Sequence, residues 1–155
     1  MRTYILILHL PADVELTIEP LGDYDLPAGY YAYVNSVPDS DLANRLRHHL
    51  VPVSSPQVAI DYIQQVTTVD EIWLSSGQVD HTHAWADLLI DVPGSIVLVE
   101  DFDVQDCDCD THFFYFDVRP TLEDFVIGVR KRFPGEVVLR AYARQETEDE
   151  GETAE

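Results

Sequence analysis

The most concentrated basic chemistry in the first hundred residues is a group of four neighbouring side chains: Arg45, Arg47, His48 and His49. Leucines at every fourth position of segment 42–50 predict an amphipathic helix, on which Arg45 and His49 lie one turn apart and face the same side. An arginine guanidinium matches the geometry of a phosphate, so this basic group favours a local anion-binding role. The alternative is that these side chains form the solvated face of the helix.

Tyrosines are the second group of residues with possible chemistry. Tyr4 lies in an apolar segment rich in Ile and Leu, and Tyr31 and Tyr33 lie in an aromatic segment of strong β-propensity. Strand alternation places Tyr31 and Tyr33 on one face and Tyr30 on the other. From these residues alone, the expected role of the tyrosines is packing on a sheet.

Cysteine and histidine are clustered near residue 110. Cys107, Cys109 and His112 could supply three zinc ligands, and Asp106 or Asp110 could add a fourth. Such tightly spaced sets make awkward tetrahedral sites, and the sequence has no second cysteine pair. We therefore expect the thiols and the histidine to hold a loop against the sheet without zinc. The two cysteines are also too close in sequence to form a disulfide scaffold.

Two further acidic patterns resemble metal sites. The alternate aspartates of segment 106–110 have the spacing of a calcium loop, but the turn glycine is missing, so we expect no calcium there. Asp80, His81, His83 and Asp87 surround the start of a predicted helix. Histidines two positions apart point away from each other on a helix, so an exposed helix start is the favoured interpretation.

The elements that position these side chains are strands mixed with helices. Strands are predicted at 4–10, 15–18, 29–34, 71–74, 95–99, 113–116 and 136–143, with a loop between residues 19 and 29. Helices are predicted after Pro38, from Ser55-Pro56, from Asp80 to about Asp91, and from a Thr121 cap to Phe133. This order predicts an α/β (α+β) fold with a small mixed, largely antiparallel sheet flanked by helices.

Composition restricts the partners of the chain. The 155 residues predict one domain over 1–144 and an acidic, disordered tail over 145–155. The net charge of -20, with Asp+Glu 29 against Lys+Arg 9, excludes diffuse attraction to nucleic acid, so any such contact must use the local basic patch. Acid excess with a single lysine is typical of a cytosol at high salt. No apolar run is long enough for a membrane span, and we expect a cytoplasmic, halophilic protein.

Several segments, taken in order, resemble a known family. They are RTYIL from residue 2, LG from 21, LPAGYYAYVNS from 26, LANRL from 42, IDYI from 60, and DFD with DCDCDTHFFYF between 101 and 116. Together they are similar to the archaeal GIY-YIG nuclease-like domain of unknown function, DUF family 123, which is fused to endonuclease III in some lineages.

The resemblance implies a GIY-YIG endonuclease-like fold and a nucleic-acid-processing role. In that superfamily, tyrosines and a helix arginine act on the scissile phosphate, and a glutamate holds one divalent metal, for which Mg²⁺ is the expected ion. Carried over to this chain, the catalytic residues are Tyr4, Tyr33 and Arg45, and His49 is added to them because it lies one helical turn after Arg45. The expected nucleic-acid contacts are Tyr31, Asn35, Ser36, Arg47 and His48. Asp80 and Asp87 are the nearest carboxylates to the glutamate position, which is Thr82.

The chain also departs from the family pattern. Arg2 and Asn35 occupy glycine positions, Ala59 replaces a histidine, and Asp101 and Asp103 replace the glycines of a G-F-G element. Three hypotheses therefore remain open: a divalent-metal-dependent DNA endonuclease, a catalytically inactive scaffold that binds nucleic acid or protein, and an unrelated zinc-stabilised interaction module.

Overall fold

The computed structural model describes residues 1–104, 109 and 111–141. Cys107, the alternate aspartates of segment 106–110 and the tail 145–155 lie outside the described residues, so the predictions made for them stay predictions. None of the described helices is long and apolar enough to cross a membrane.

The described part of the chain contains the following strands and helices. The strands are β1 (Arg2–Leu10), β2 (Val14–Ile18), β3 (Gly22–Leu26), β4 (Gly29–Val37), β5 (Thr68–Ser75), β6 (Ser95–Ile96), β7 (Phe113–Phe116) and β8 (Val138–Ala141). The helices are α1 (Leu42–His49), α2 (Ala59–Gln64), α3 (Thr82–Ile90) and α4 (Leu122–Arg132).

Six strands form one sheet in the order β6-β7-β4-β1-β5-β8, and every neighbouring pair in it is antiparallel. Strands β2 and β3 pair with each other as a separate hairpin. The predicted α+β class with a largely antiparallel sheet flanked by helices is therefore confirmed, and the described sheet contains no parallel pair.

The central strand β1 is buried on both faces because each face of the sheet is covered. Tyr4 and Leu6 point into a core layer that includes Ile60 and Ile63 of α2, with Leu46 of α1 packed against it. The alternate side chains of β1 point into a second layer formed mainly by α3 and α4. Period-two alternation thus explains why one strand contributes to two cores.

The strongest helical pattern is confirmed at α4. Phe125 and Val129 lie four positions apart and are buried against the second core layer. Thr121 Oγ1 accepts a hydrogen bond from Asp124 N at 3.2 Å, which is the predicted N-cap interaction. The three basic residues in the last turn complement the negative, C-terminal end of the helix dipole.

The predicted loop between residues 19 and 29 is wrong in part, because it contains β3. This strand has only two large apolar side chains, Tyr24 and Leu26, which pair with Leu16 and Val14 of β2. Asp23 and Asp25 of this strand are exposed, so a separate hairpin forms where the composition indicates a turn.

Two other predicted boundaries are also wrong. Helix α2 begins at Ala59 rather than at Ser55-Pro56, because Asp61 Oδ2 accepts hydrogen bonds from Gln57 N at 2.8 Å and Val58 N at 3.3 Å and holds the preceding turn. The strand predicted at 95–99 is only the two-residue β6, which pairs with the sheet edge and leaves Ile96 about half exposed at 48%.

Candidate functional site

A cleft of about 510 Å³ opens on the face of the sheet that α1 and α2 cover. Its wall residues come from β4, α1, the start of α2 and the turn before residue 104. The polar and charged wall residues include Tyr33, Asn35, Asp41, Arg45, His48, His49, Asp61 and Asp103. The structure therefore brings together most of the residues that the sequence predicted as catalytic.

Strand register explains why the tyrosines meet the helix. Tyr4 of β1 lies directly opposite Asn35 of β4, and Leu6 lies opposite Tyr33, so Tyr4, Tyr33 and Asn35 share one face of the sheet. Helix α1 packs on that face through Leu42 and Leu46. The charged and imidazole groups of the helix therefore lie above the tyrosine hydroxyls.

Tyr4, His49 and Gln64 form a buried hydrogen-bonded chain. The Tyr4 hydroxyl lies 2.9 Å from His49 Nε2, and His49 Nδ1 lies 2.6 Å from Gln64 Oε1. The Gln64 amide nitrogen donates to the His49 carbonyl at 2.7 Å, so the Gln64 oxygen is the group that faces the ring. His49 Nδ1 must then donate to Gln64.

The protonation state of this chain follows from its burial. Burial lowers the pKa of His49 to about 4, although the hydrogen bond that His49 donates to Gln64 opposes the shift. The ring is therefore neutral near pH 7, and Nε2 accepts a hydrogen bond from the Tyr4 hydroxyl. Burial raises the pKa of Tyr4 to about 12, and the neighbouring Arg45 and Asn35 limit the rise. Tyr4 is fully buried and lies beneath the cleft rather than on its surface.

Tyr33 reaches the cleft and contacts a carboxylate. Its hydroxyl donates to Asp103 Oδ2 at 2.6 Å and accepts from Asn35 Nδ2 at 3.1 Å. Burial raises the pKa of Tyr33 well above 10, and the negative charge of Asp103 adds to the rise. Asn35 thus orients the Tyr33 hydroxyl toward Asp103.

The turn that carries Asp103 has an unusual backbone. Asp101 and Asp103 have φ angles of 61° and 59°, in the left-handed region that favours glycine. Between them, Phe102 is fully buried and stacks on Phe113 with ring centroids 4.5 Å apart. Phe102 therefore anchors a turn in which two aspartates adopt a backbone conformation that favours glycine.

Asp61 supplies a second carboxylate to the cleft. It is only 2% exposed, and one of its oxygens holds the turn before α2. The other oxygen, Oδ1, has no hydrogen-bond partner among the described atoms and lies 3.5 Å from His48 Nε2. This buried oxygen is an acceptor that faces the cleft side of α2.

Ser36 and Asp80 are engaged in a separate hydroxyl network. Ser36 Oγ donates to Asp80 Oδ1 at 2.9 Å and contacts the hydroxyls of Thr3 and Thr82. Burial alone would raise the pKa of Asp80, but hydrogen bonds from Thr82 and Ser36 outweigh it and lower the pKa. This network, which includes Thr82, fixes the start of α3 against β1 and β4.

The remaining predicted residues lie elsewhere. Tyr31 is fully buried, and its hydroxyl donates to Pro27 O at 2.6 Å, so Tyr31 is a core residue beside β7. Arg47 is exposed on α1 and donates to Asn44 at 2.9 Å. Asp87 lies on α3, across the sheet from the cleft, and pairs with Arg132 at 3.6 Å. The structure does not bring Asp87 near Tyr33.

Potential metal ligands in the cleft are few. Among residues 1–104, 109 and 111–141, no three His, Cys, Asp or Glu side chains are placed to hold one metal ion. Of the predicted zinc ligands, Cys109 is partly buried against the second core layer, and His112 lies with its ring centroid 5.8 Å from that of His83. Burial lowers the pKa of His112, although Asp103 opposes this effect.

Sequence reasoning assigned no role to three residues that the structure places at this site: Asp61, Gln64 and Asp103. Asp61 belongs to the IDYI segment and Asp103 to the altered G-F-G element, so both were signalled by the family pattern. No signal in the sequence distinguishes Gln64 from the neighbouring Gln65.

Fold and site together define a small α+β protein with a central antiparallel sheet and a cleft that combines tyrosine, arginine and aspartate side chains. The chain belongs to the family described as domain of unknown function DUF123, whose family model matches residues 3–134. No curated protein and no solved structure shows significant similarity to the chain.

Proposed function

We propose that the cleft binds a nucleic-acid phosphodiester and hydrolyses it, which would make this protein a divalent-metal-dependent endonuclease related to the GIY-YIG nucleases. The observation that carries the proposal is that Tyr33 and Arg45 share one cleft with a carboxylate, Asp103, whose Oδ2 is 2.6 Å from the Tyr33 hydroxyl. The ordered segments that resemble that superfamily give independent support.

Arg45 is the residue that would bind the phosphate. Its side chain is exposed at the cleft, and its charge acts on the hydroxyls of both Tyr4 and Tyr33. A planar guanidinium donates two parallel hydrogen bonds to phosphate oxygens. Tyr4 would act as a positioning residue, because its hydroxyl joins Arg45 to the neutral His49.

The charges of the cleft favour a divalent cation. Asp41, Asp61 and Asp103 line it together with Arg45, so a phosphodiester would meet more negative than positive charge. Mg²⁺ is usually held by one or two carboxylates together with substrate phosphate oxygens, and the buried Asp61 Oδ1 fits as such a ligand. When bound, the ion would neutralise charge on the leaving oxygen.

The net charge of the whole chain should make the proposed activity depend on salt concentration. A net charge of -20 repels nucleic acid at low ionic strength, whereas salt near 1 M screens charges beyond about 3 Å. We infer that the protein works in a cytoplasm of high salt concentration, where only local contacts such as those of Arg45 decide binding.

The test is hydrolysis of branched, flapped and damaged DNA with Mg²⁺ or Mn²⁺ in high salt. The wild-type protein should cleave at least one of these substrates, and Arg45→Ala should reduce the rate by about 100-fold or more. Arg130→Ala removes the same charge from α4, across the sheet, and serves as the matched control. Absence of cleavage by the wild type, or equal rates for both variants, would overturn the proposal.

A second candidate function is a scaffold that binds nucleic acid or protein without catalysis. It is favoured by Thr82, which occupies the family's glutamate position and contacts Asp80 and Ser36 rather than the cleft. This alternative predicts that Arg45→Ala weakens binding of DNA and that no metal ion supports cleavage by the wild type.

A further inference from the structure

We propose that Asp103 is a catalytic residue that accepts a proton from Tyr33 while Tyr33 accepts one from the attacking water. This inference rests on the proposed phosphodiester hydrolysis and assigns a base to it. It concerns Asp103, a carboxylate that lines the cleft and accepts the hydrogen bond of the Tyr33 hydroxyl.

The geometry defines the direction of proton transfer. The Tyr33 hydroxyl donates to Asp103 Oδ2 at 2.6 Å, while Asn35 donates to the Tyr33 oxygen at 3.1 Å. The amide of Asn35 is itself fixed, because its oxygen accepts from Ser36 N at 2.8 Å. The hydroxyl proton therefore points at the carboxylate, and Tyr33 has a second lone pair for a water proton.

The backbone supports a specific role for this aspartate. Asp101 and Asp103 both adopt left-handed φ angles, which cost more for an aspartate than for a glycine. Asp101 is exposed, whereas Asp103 is half-buried and lines the cleft. The same backbone conformation therefore carries one side chain that contacts the site and one that faces solvent.

Tyr33 cannot act as a base without an acceptor for its own proton. Because burial raises its pKa well above 10, the hydroxyl stays protonated near pH 7. His49 cannot take this proton, because its ring nitrogens already contact Tyr4 and Gln64. The carboxylate at hydrogen-bond distance is the acceptor that the described residues provide.

Hydrolysis exchanges one bond at phosphorus and moves the proton of the attacking water by way of Tyr33. The water oxygen forms a bond to phosphorus, its proton moves to Tyr33 Oη, and the Tyr33 proton moves to Asp103 Oδ2, which becomes neutral. The bond between phosphorus and the leaving oxygen breaks, and that oxygen takes a proton from solvent. Asp103 then returns its proton to solvent, so one phosphodiester and one water give a phosphomonoester and an alcohol.

The experiment compares Asp103→Gly with Asp101→Gly in the full chain, on whichever DNA the wild type cleaves. Both variants relieve the same left-handed backbone constraint, but Asp103→Gly also removes the acceptor of the Tyr33 hydroxyl, so only Asp101→Gly should raise the melting temperature. Asp103→Gly should lower kcat by about 100-fold with little change in KM, whereas Asp101→Gly should cleave like the wild type. Asp103→Asn keeps the shape of the side chain and should lose kcat in the same way.

Each outcome is decisive. Wild-type kcat in Asp103→Gly or Asp103→Asn would overturn the proton-acceptor role while leaving the proposed hydrolysis intact. Recovery of Asp103→Gly by a higher Mn²⁺ concentration would also overturn it, because that result assigns Asp103 to metal binding. A wild type that cleaves no substrate would reject the proposed hydrolysis itself, and the role of Asp103 with it.

Discussion

The Tyr4 hydroxyl lies 2.9 Å from Nε2 of His49, although the residues are 45 positions apart in the chain. The contact joins the central strand of the sheet to the last turn of α1. Because Arg45 lies one turn before His49 on the same helix, this buried contact also sets the position of the guanidinium at the cleft. The arrangement leads to predictions for stability as well as for binding.

Gln64 is expected to stabilise the protein through its two contacts with His49. Gln64→Leu removes the acceptor of His49 Nδ1 and the donor to the His49 carbonyl, so it should lower the free energy of unfolding by about 1–3 kcal/mol. Denaturation in urea measures this value. Gln65→Leu, at an exposed neighbouring position, should lower the free energy of unfolding by a smaller amount. Equal losses in the two variants would show that the contacts with His49 contribute nothing.

The neutral His49 should make stability depend on pH. Its pKa is about 4 in the folded protein and about 6.5 when unfolded, so both states are neutral above pH 6.5. As the pH falls from 6.5 to 4, the unfolded state takes up the proton first, and the free energy of unfolding should fall by about 3 kcal/mol.

Two histidine variants separate the contribution of His49 to the pH dependence of stability from the contribution of the carboxylates. His49→Gln should show a smaller loss of stability than the wild type over the same pH range, measured by urea denaturation at each pH. His48→Gln changes the neighbouring, more exposed ring and should retain most of the loss, because burial is the main cause of the low pKa of His49. A wild-type pH dependence in His49→Gln would mean that His49 is not the titrating group.

Salt should stabilise this protein. The net charge of -20 makes the folded state repel itself, and this repulsion acts over about 10 Å at 0.1 M salt but only about 3 Å at 1 M. The melting temperature at pH 7.5 should therefore rise between 0.1 and 2 M KCl. Near the isoelectric point of about 4.3 the net charge vanishes, and the rise should shrink. The same rise at both pH values would exclude charge repulsion as its cause.

The fold was predictable where local pattern and burial agree. Strand β1 carries a nearly continuous apolar run because the sheet is covered on both faces, and α4 has helical spacing with a threonine cap. Strand β3 was missed because its polar residues resemble a turn, and its pairing with β2 decides its conformation. The predicted start of α2 was wrong because the Asp61 side chain accepts hydrogen bonds from two backbone N–H groups ahead of the helix.

The candidate site was predictable only in part. Arg45, His49 and Tyr33 could be chosen from residue type, spacing and family resemblance. The place of Asp103 in the site could not be predicted from the sequence. It depends on a left-handed turn that Phe102 anchors by stacking on Phe113 of β7. Tyr31 and Tyr33 share a face of β4, yet only Tyr33 reaches the cleft, since Tyr31 packs against Phe113.

The central claim is that Arg45 binds a phosphate in the cleft, and the salt dependence of DNA affinity tests it most directly. Fluorescence anisotropy with a labelled branched DNA should show Arg45→Ala binding at least about tenfold more weakly than the wild type. The slope of log K against log salt concentration should fall in magnitude by about one, while Arg130→Ala should follow the wild type. Identical affinities and slopes for Arg45→Ala and the wild type would contradict the account.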